Sequence, residues 1–213
     1  MLDIGGVVLR TGVHLVNELA EREPRLAPWV AQVGGQIASP GDELWQQMLR
    51  REVTERAYWA QRAGEMGAAL GESWDTRRMV NHLYEGPASS WLNQVVVDLM
   101  RDTLAAGLRL GALTNDLQDF HGEQWMSEQS WLDLFEVVVD ASVTGIMKPD
   151  PQAFAGGASA LGLPPAEVVY LDDMPWNIAG GLQAGLIAVQ VGYDDPGQAA
   201  DVARAHLALP VRA

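Results

Sequence analysis

The sequence contains no cysteine, which excludes disulfides, thiolate chemistry and cysteine-ligated zinc and leaves the redox compartment open. Histidine is scarce: His14, His82, His121 and His206 are the four, and none stands at metal-ligand spacing from another. Positive charge is scarce too, with 14 Lys and Arg against 28 Asp and Glu and a formal net charge of -14. Nucleic acid and anionic membranes need a basic face and are therefore not expected as partners. An anionic ligand would need a local cation to offset the repulsive global field. No apolar run approaches the length of a bilayer span, and no charged, apolar, small-residue signal segment opens the chain. A soluble cytoplasmic protein, monomeric or homodimeric, is the expectation.

What remains is an ordinary globular composition. Of 213 residues, 48% are hydrophobic and 20% charged, enough for one full domain with a subdomain and a sizeable core. The chain opens on Met1-Leu2-Asp3-Ile4-Gly5-Gly6-Val7-Val8-Leu9, an acid after a short apolar lead, then two glycines and another apolar run. From about Thr11 to Tyr84 the pattern is helical. Val13, Leu15, Val16 and Leu19 recur at helical spacing, as do Leu44, Met48 and Leu49, then Ala57, Trp59 and Ala60. Breaks fall at Pro24, at Pro28 and over Ala38–Asp42, and Thr54 is placed to cap a helix.

From Gly86 onward helix and strand alternate. The sequence predicts a helix over Pro87–Ala106 with Trp91, Val95, Leu99 and Leu104 inward, ended by Gly107. Strands are predicted over Leu108–Thr114, Phe135–Asp140, Val168–Leu171 and Ile187–Val191, with helices around Pro151–Leu161 and Trp176–Ala184. Such alternation argues for an α/β fold, a doubly wound parallel sheet with helices on its faces. The expected organisation is an α/β core from residues 1–10 and 86–213 with a helical insertion over 11–85. A central parallel strand usually has about five residues, yet only Met1 and Leu2 precede Asp3. Either the first strand is unusually short or the chain as given lacks its natural start.

Polar groups follow four of the apolar runs. Asp3 is the first. Thr114 and Asn115 are the second, either donors to an anionic oxygen or a helix cap. Lys148, in the stretch Gly145-Ile146-Met147-Lys148-Pro149-Asp150-Pro151, is the third. A lysine braced by prolines can fix a positive charge against a phosphate or a carboxylate, and a solvated surface lysine is the alternative. Asp172 and Asp173 are the fourth. Adjacent acids repel one another unless a cation sits between them, and all-oxygen ligation suits Mg²⁺. A pair capping the following helix is compatible with that.

In this order, after successive strands, the four sites resemble the haloacid dehalogenase-like hydrolase superfamily, over nearly the whole chain. The segments Phe135–Phe154 and Leu161–Val191 are most similar to it, and the helical insertion resembles that superfamily's C1 cap. The resemblance implies a Rossmann-like phosphotransferase fold and a Mg²⁺-dependent hydrolase, most often a phosphatase working through an aspartyl-phosphate. It implies Asp3 as nucleophile, Thr114 and Asn115 as phosphate-binding residues, and Lys148 as the group that stabilises the intermediate. Asp172 and Asp173 match the acidic metal motif, with Asp173 the expected direct ligand and Asp172 outer-shell or shared. The backbone carbonyl of Gly5 matches a further metal ligand, and Asn177 matches a polar residue that orients the lysine. One position departs. The superfamily's phosphatases usually carry a second aspartate where this chain has Gly5, so the expected general acid is missing. The substrate implied is a small phosphorylated metabolite, with a sugar phosphate among the candidates, and Trp45, Trp59 and Trp74 are placed to line the cap. Two other readings stand beside this one: a carbon–halogen hydrolase, and a weak or silent member that binds a phosphorylated ligand or a protein.

Overall fold

The computed structural model describes residues 1–33, 37–38, 41–192 and 194–210. Ser39, Pro40 and the side chain of Val13 lie outside the described residues. The chain divides into two compact units, one formed by Met1–Arg10 and Ser89–Ala213, the other by Thr11–Ala88.

The first unit is built on parallel strands β1 (Gly111–Thr114), β2 (Val137–Asp140), β3 (Val169–Asp172) and β4 (Ile187–Gln190). β1 pairs with β2 and β3 with β4. The two pairs are joined through Leu2, which bridges Ala112 on one side and Leu171 on the other, both parallel. The spatial order is therefore β2, β1, Met1–Asp3, β3, β4. β1, β2 and β4 are shorter than the runs that predict them, while β3 has the expected four residues shifted by one. At β1 the preceding helix uses the difference, since Gly107 turns with φ +73 and Leu108 still donates to the carbonyl of Thr103. Under the sheet, Met1, Leu113, Phe154, Leu161, Tyr170 and Leu186 form one apolar cluster.

The helix expected from Pro87 begins only at Gln94. Residues 91–93 are drawn instead into extended pairing with the segment after the first loop. Arg10 N–H donates to Trp91 O (2.8 Å), and Asn93 donates its backbone N–H to Val8 O (2.9 Å) and its side-chain amide to Val7 O (2.6 Å). The later start moves the buried stripe to Val96, Val97, Leu99, Met100 and Thr103. Trp91 and Leu99 are buried as expected, whereas Val95 is half-buried and Leu104 exposed. The final helix, Pro196–His206, carries Arg204, which is buried and paired to Asp102 at 2.5 Å.

The second unit holds helices Gly12–Arg22, Ala27–Gln32, Glu43–Leu49, Glu55–Leu70 and Thr76–Leu83. Thr54 caps the fourth, its hydroxyl accepting from the N–H of Ala57. The inward face of that helix is Tyr58, Arg62, Ala63 and Met66; Ala57 and Ala60 are exposed and Trp59 half-buried. A buried carboxylate explains the rotation. Asp42 caps the third helix through Trp45 N–H (3.1 Å), accepts from Tyr58 Oη (2.7 Å) and Ala38 N–H (3.1 Å), and is paired with Arg62. Burial alone would raise the pKa of Asp42, but Tyr58, the two backbone donors and Arg62 hold it below the ordinary carboxylate value.

Between Asp3 and Leu9 the chain makes a tight loop, closed by Leu9 N–H on Ile4 O at 2.9 Å. Gly5 has φ -66 and ψ 134, whereas Gly6 has φ 71. A Cβ on Gly6 would lie 2.2 Å from Asp173 Oδ2, while one on Gly5 would meet nothing within 4 Å. Only the second glycine is there for want of a side chain.

Two stability predictions follow from these contacts. Asp42→Ala leaves the Arg62 charge buried with one partner fewer, and should destabilise the protein by about 3 kcal/mol in denaturant titration. Because the folded pKa of Asp42 is lowered, its contribution should be complete above pH ~4 and lost as the pH falls through the folded value. Gly6→Ala combines a positive φ with a clash and should cost at least ~1–2 kcal/mol, whereas Gly5→Ala should stay within about 0.5 kcal/mol of the parent.

Candidate functional site

The register of the central segment builds the site. With Leu2 opposite Ala112 and Leu171, Asp3 falls beside Leu113 and Asp172 at the carboxyl edge of the sheet, where open parallel sheets bind ligands. Asp3 and Asp172 then stand side by side on neighbouring strands. Two carboxylates so placed need a cation between them, and they have one. Lys148 Nζ lies 2.9 Å from Asp3 Oδ2 and 2.7 Å from Asp172 Oδ2. It is the chain's only lysine, and its side chain is 1% exposed, so it is not a solvated surface group. Burial works against the ammonium, but Asp172 and Asp3 outweigh it and hold its pKa above the ordinary lysine value.

Asn115 makes that placement possible. Its Oδ1 accepts the backbone N–H of Lys148 at 2.8 Å and its Nδ2 donates to the Lys148 carbonyl at 3.2 Å. The Asn115 side chain is thus committed to bracing the lysine loop, 33 residues away in sequence, which leaves its backbone N–H as the group to meet an anion. Asp140, at the end of β2, adds a second brace by accepting from Gln118 N–H and Ser142 N–H, each at 2.8 Å. Thr114, buried at the end of β1, lies opposite Asp140 in the register.

Asp172 is fully buried and surrounded by donors. Its Oδ1 accepts from Met174 N–H (2.8 Å) and Asn177 Nδ2 (3.0 Å); its Oδ2 accepts from Lys148, from Asn177 at 3.2 Å, and from the hydroxyl of Tyr170. A carboxylate offers about four lone-pair positions, and here they are filled. Asn177 reaches the lysine through this acid. Tyr170 was missed by the sequence reading, although a signal existed: residues i and i+2 of a strand share a face. Burial, then Asp172 and Asp3, raise the Tyr170 pKa well above its ordinary value, so the phenol stays a donor.

Asp3 accepts the N–H of Ile4 on Oδ1 at 2.7 Å. Burial pushes its pKa up to about 8, with Lys148 opposing and Asp172 adding to the rise. Asp173, next along, lies with its carboxylate against Gly6. One oxygen each of Asp3, Asp172 and Asp173 lie within 4.8 Å of one another. Three acids against one ammonium leave negative charge over, and hard oxygen donors are the set that fits a divalent cation such as Mg²⁺. With Asp172 filled, Asp3 and Asp173 are the side chains that could hold it, together with the carbonyl of exposed Gly5.

Comparison with known proteins agrees with this geometry. A family model described as haloacid dehalogenase-like hydrolase matches residues 1–185. Acyl-CoA dehydrogenase family member 10 of Mus musculus is 27% identical over 172 residues, 78% of this chain and 15% of that protein. Phosphatase MT3486 of Mycobacterium tuberculosis is 33% identical over 95 residues, 45% of this chain and 43% of that one. The matched region thus spans less than half of either relative. Among solved structures, the L-2-haloacid dehalogenase RSc1362 shares the fold with a TM-score of 0.59 at 17% identity, covering 90% of this chain and 84% of that one. Matched over most of its length, and with the acids and the lysine converging at the sheet edge, the chain belongs to the haloacid dehalogenase-like hydrolase family.

Proposed function

We propose that the protein is a Mg²⁺-dependent phosphatase of a small phosphorylated metabolite, working in the cytoplasm through an aspartyl-phosphate on Asp3, with the helical unit as its cap. The observation that carries this reading is the Lys148 ammonium held between Asp3 and Asp172 inside an acidic cluster. An acid kept near full burial against a fixed positive charge is prepared for nucleophilic attack. The named phosphatase among the relatives supports the choice. Displacement of halide from carbon needs no metal, and retention of both Asp172 and Asp173, with glycine rather than an aromatic residue at Gly5, argues against it.

In the proposed reaction a carboxylate oxygen of Asp3 attacks phosphorus in line, and the bond to the leaving oxygen breaks. Lys148 offsets charge on the transferring oxygens, while the Thr114 hydroxyl and the backbone N–H of Asn115 orient the phosphoryl group. Water then attacks phosphorus of the aspartyl-phosphate, the bond between Asp3 oxygen and phosphorus breaks, and a water proton passes to solvent, releasing phosphate and restoring the Asp3 carboxylate. Asp3, Asp173 and the Gly5 carbonyl would hold Mg²⁺, which when bound supplies positive charge that favours the ionised nucleophile and the developing transition state. Asp172 acts as the lysine's anchor.

The position of Gly5 sets the leaving group. No proton donor stands there, so the chemistry favours a leaving oxygen of low pKa, as in a sugar 1-phosphate. The helical unit, in this reading, excludes water and reads the rest of the substrate.

A panel of phosphate monoesters that includes sugar 1-phosphates, assayed for phosphate release, tests the proposal. Release should require Mg²⁺, stop with EDTA and vanish in Asp3→Asn. A wild-type protein that binds phosphorylated ligands but releases nothing would move the reading to a silent binding member. Gly5→Asp should be accepted sterically, since a Cβ there meets open space. It should raise turnover of alkyl phosphates roughly 10²–10⁴-fold and leave esters of acidic leaving groups nearly unchanged.

A further inference from the structure

We propose that Tyr170 is a positioning residue of this site, whose hydroxyl keeps Asp172 anchored and thereby leaves Lys148 shared with Asp3; this rests on the phosphatase reading for its kinetic consequence. Tyr170 and Asp172 are two residues apart on β3 and the phenol donates to Asp172 Oδ2, the same oxygen that holds Lys148. The ring is fully buried and meets Phe154 edge-on at 5.5 Å. Phe154 belongs to the helix Pro151–Ala160 that follows the lysine loop. Lys148 Nζ also lies 5.8 Å from the centroid of the Tyr170 ring, within the range of a cation–π contact. One side chain therefore touches the acid, the lysine and the helix behind the lysine.

The physical role follows from competition. Lys148 Nζ is claimed by Asp3 and by Asp172, and each donor to Asp172 spreads that carboxylate's charge and weakens its claim. Without the phenol, Oδ2 would concentrate its attraction on the ammonium and draw it from Asp3. The carboxylate would also be less restrained from turning toward Asp3 and Asp173, whose oxygens lie within 4.8 Å of its own. Either movement takes positive charge from the nucleophile while leaving Thr114, at the end of β1, in place.

The test compares Tyr170→Phe with Phe154→Leu, which loosens the same packing but keeps the hydroxyl. Because Lys148 is the only lysine, selective ¹⁵N labelling gives one Nζ resonance to follow by NMR. Tyr170→Phe should lower kcat roughly ten- to a hundredfold, the effect of one hydrogen bond to a charged group, with KM within about twofold and a displaced Nζ resonance. Phe154→Leu should retain kcat and the resonance position. An Nζ signal and kcat unmoved by Tyr170→Phe would overturn the proposal, as would equal losses in both variants. Should the wild type release no phosphate, the phosphatase reading has failed, and the Nζ resonance alone decides for or against Tyr170. If Tyr170→Phe does not fold, 3-fluorotyrosine introduced at 170 preserves the shape and strengthens the donor, and an unmoved Nζ signal would again overturn the idea.

Discussion

One ammonium shared by two buried carboxylates is the interaction on which the sheet's carboxyl edge depends. Asp3 comes from the central segment, Asp172 from β3, and Lys148 from the loop after β2. Without Lys148, two acids on neighbouring strands would face each other with little solvent to separate them, and one would have to take up a proton. Without the acids, the ammonium would be stranded in a site where its side chain is 1% exposed. Removing one partner of such a group is costly because the others remain buried. The surrounding hydrogen bonds make sense in that light: Asn115 holds the lysine's backbone, and Tyr170, Asn177 and Met174 N–H hold its anchor.

The two adjacent acids at the end of β3 are divided by the same logic. Asp172 is the last residue of β3 and Asp173 lies just beyond it, so the two take different surroundings although an oxygen of each lies within 4.8 Å of the other. Asp172 is turned into the protein and filled with donors. Asp173 reaches over the first loop, where Gly6 leaves space that any side chain would occupy. A pair that reads as a repetition in the sequence thus holds one structural anion and one acid facing the loop after Asp3.

How much of this the sequence carried depends on the range of the interaction. The strand ending in Thr114, and the one ahead of Asp172 that was expected to end a residue earlier, were legible because an apolar run followed by a polar residue is a local pattern. Thr54 was legible as a helix start because a capping residue ahead of a periodic run is also a local pattern. The helix beginning at Gln94 was misplaced at its start because residues 91–93 pair with Val7–Arg10, and no local propensity records a contact across more than eighty residues. Ala57, Trp59 and Ala60 recur at helical spacing in Glu55–Leu70, but its buried face is Tyr58, Arg62, Ala63 and Met66, two of them bound to buried Asp42. Hydrophobic periodicity cannot weigh a buried ion pair. Asn115 shows the same limit at the site. Its residue type announces hydrogen bonding, and only the fold says that its partner is the backbone of Lys148.

The charge of the cluster connects composition to chemistry. A protein of net charge -14 repels a phosphate at long range, and the one ammonium at the site is already divided between two carboxylates. If all three acids ionise, the cluster is negative before any phosphate arrives. Burial resists this, and the raised pKa of Asp3, opposed by Lys148, is the form the resistance takes. Under the proposed reaction, Asp3 and Asp173 would hold a divalent cation, which when bound would supply positive charge that favours the ionised carboxylate and offsets the phosphoryl charge. Cation and substrate then assist one another's binding, because each relieves the repulsion that opposes the other. On the proposed reading, phosphate affinity would be a property of the assembled charges rather than of any single residue, and Lys148 is their fixed member.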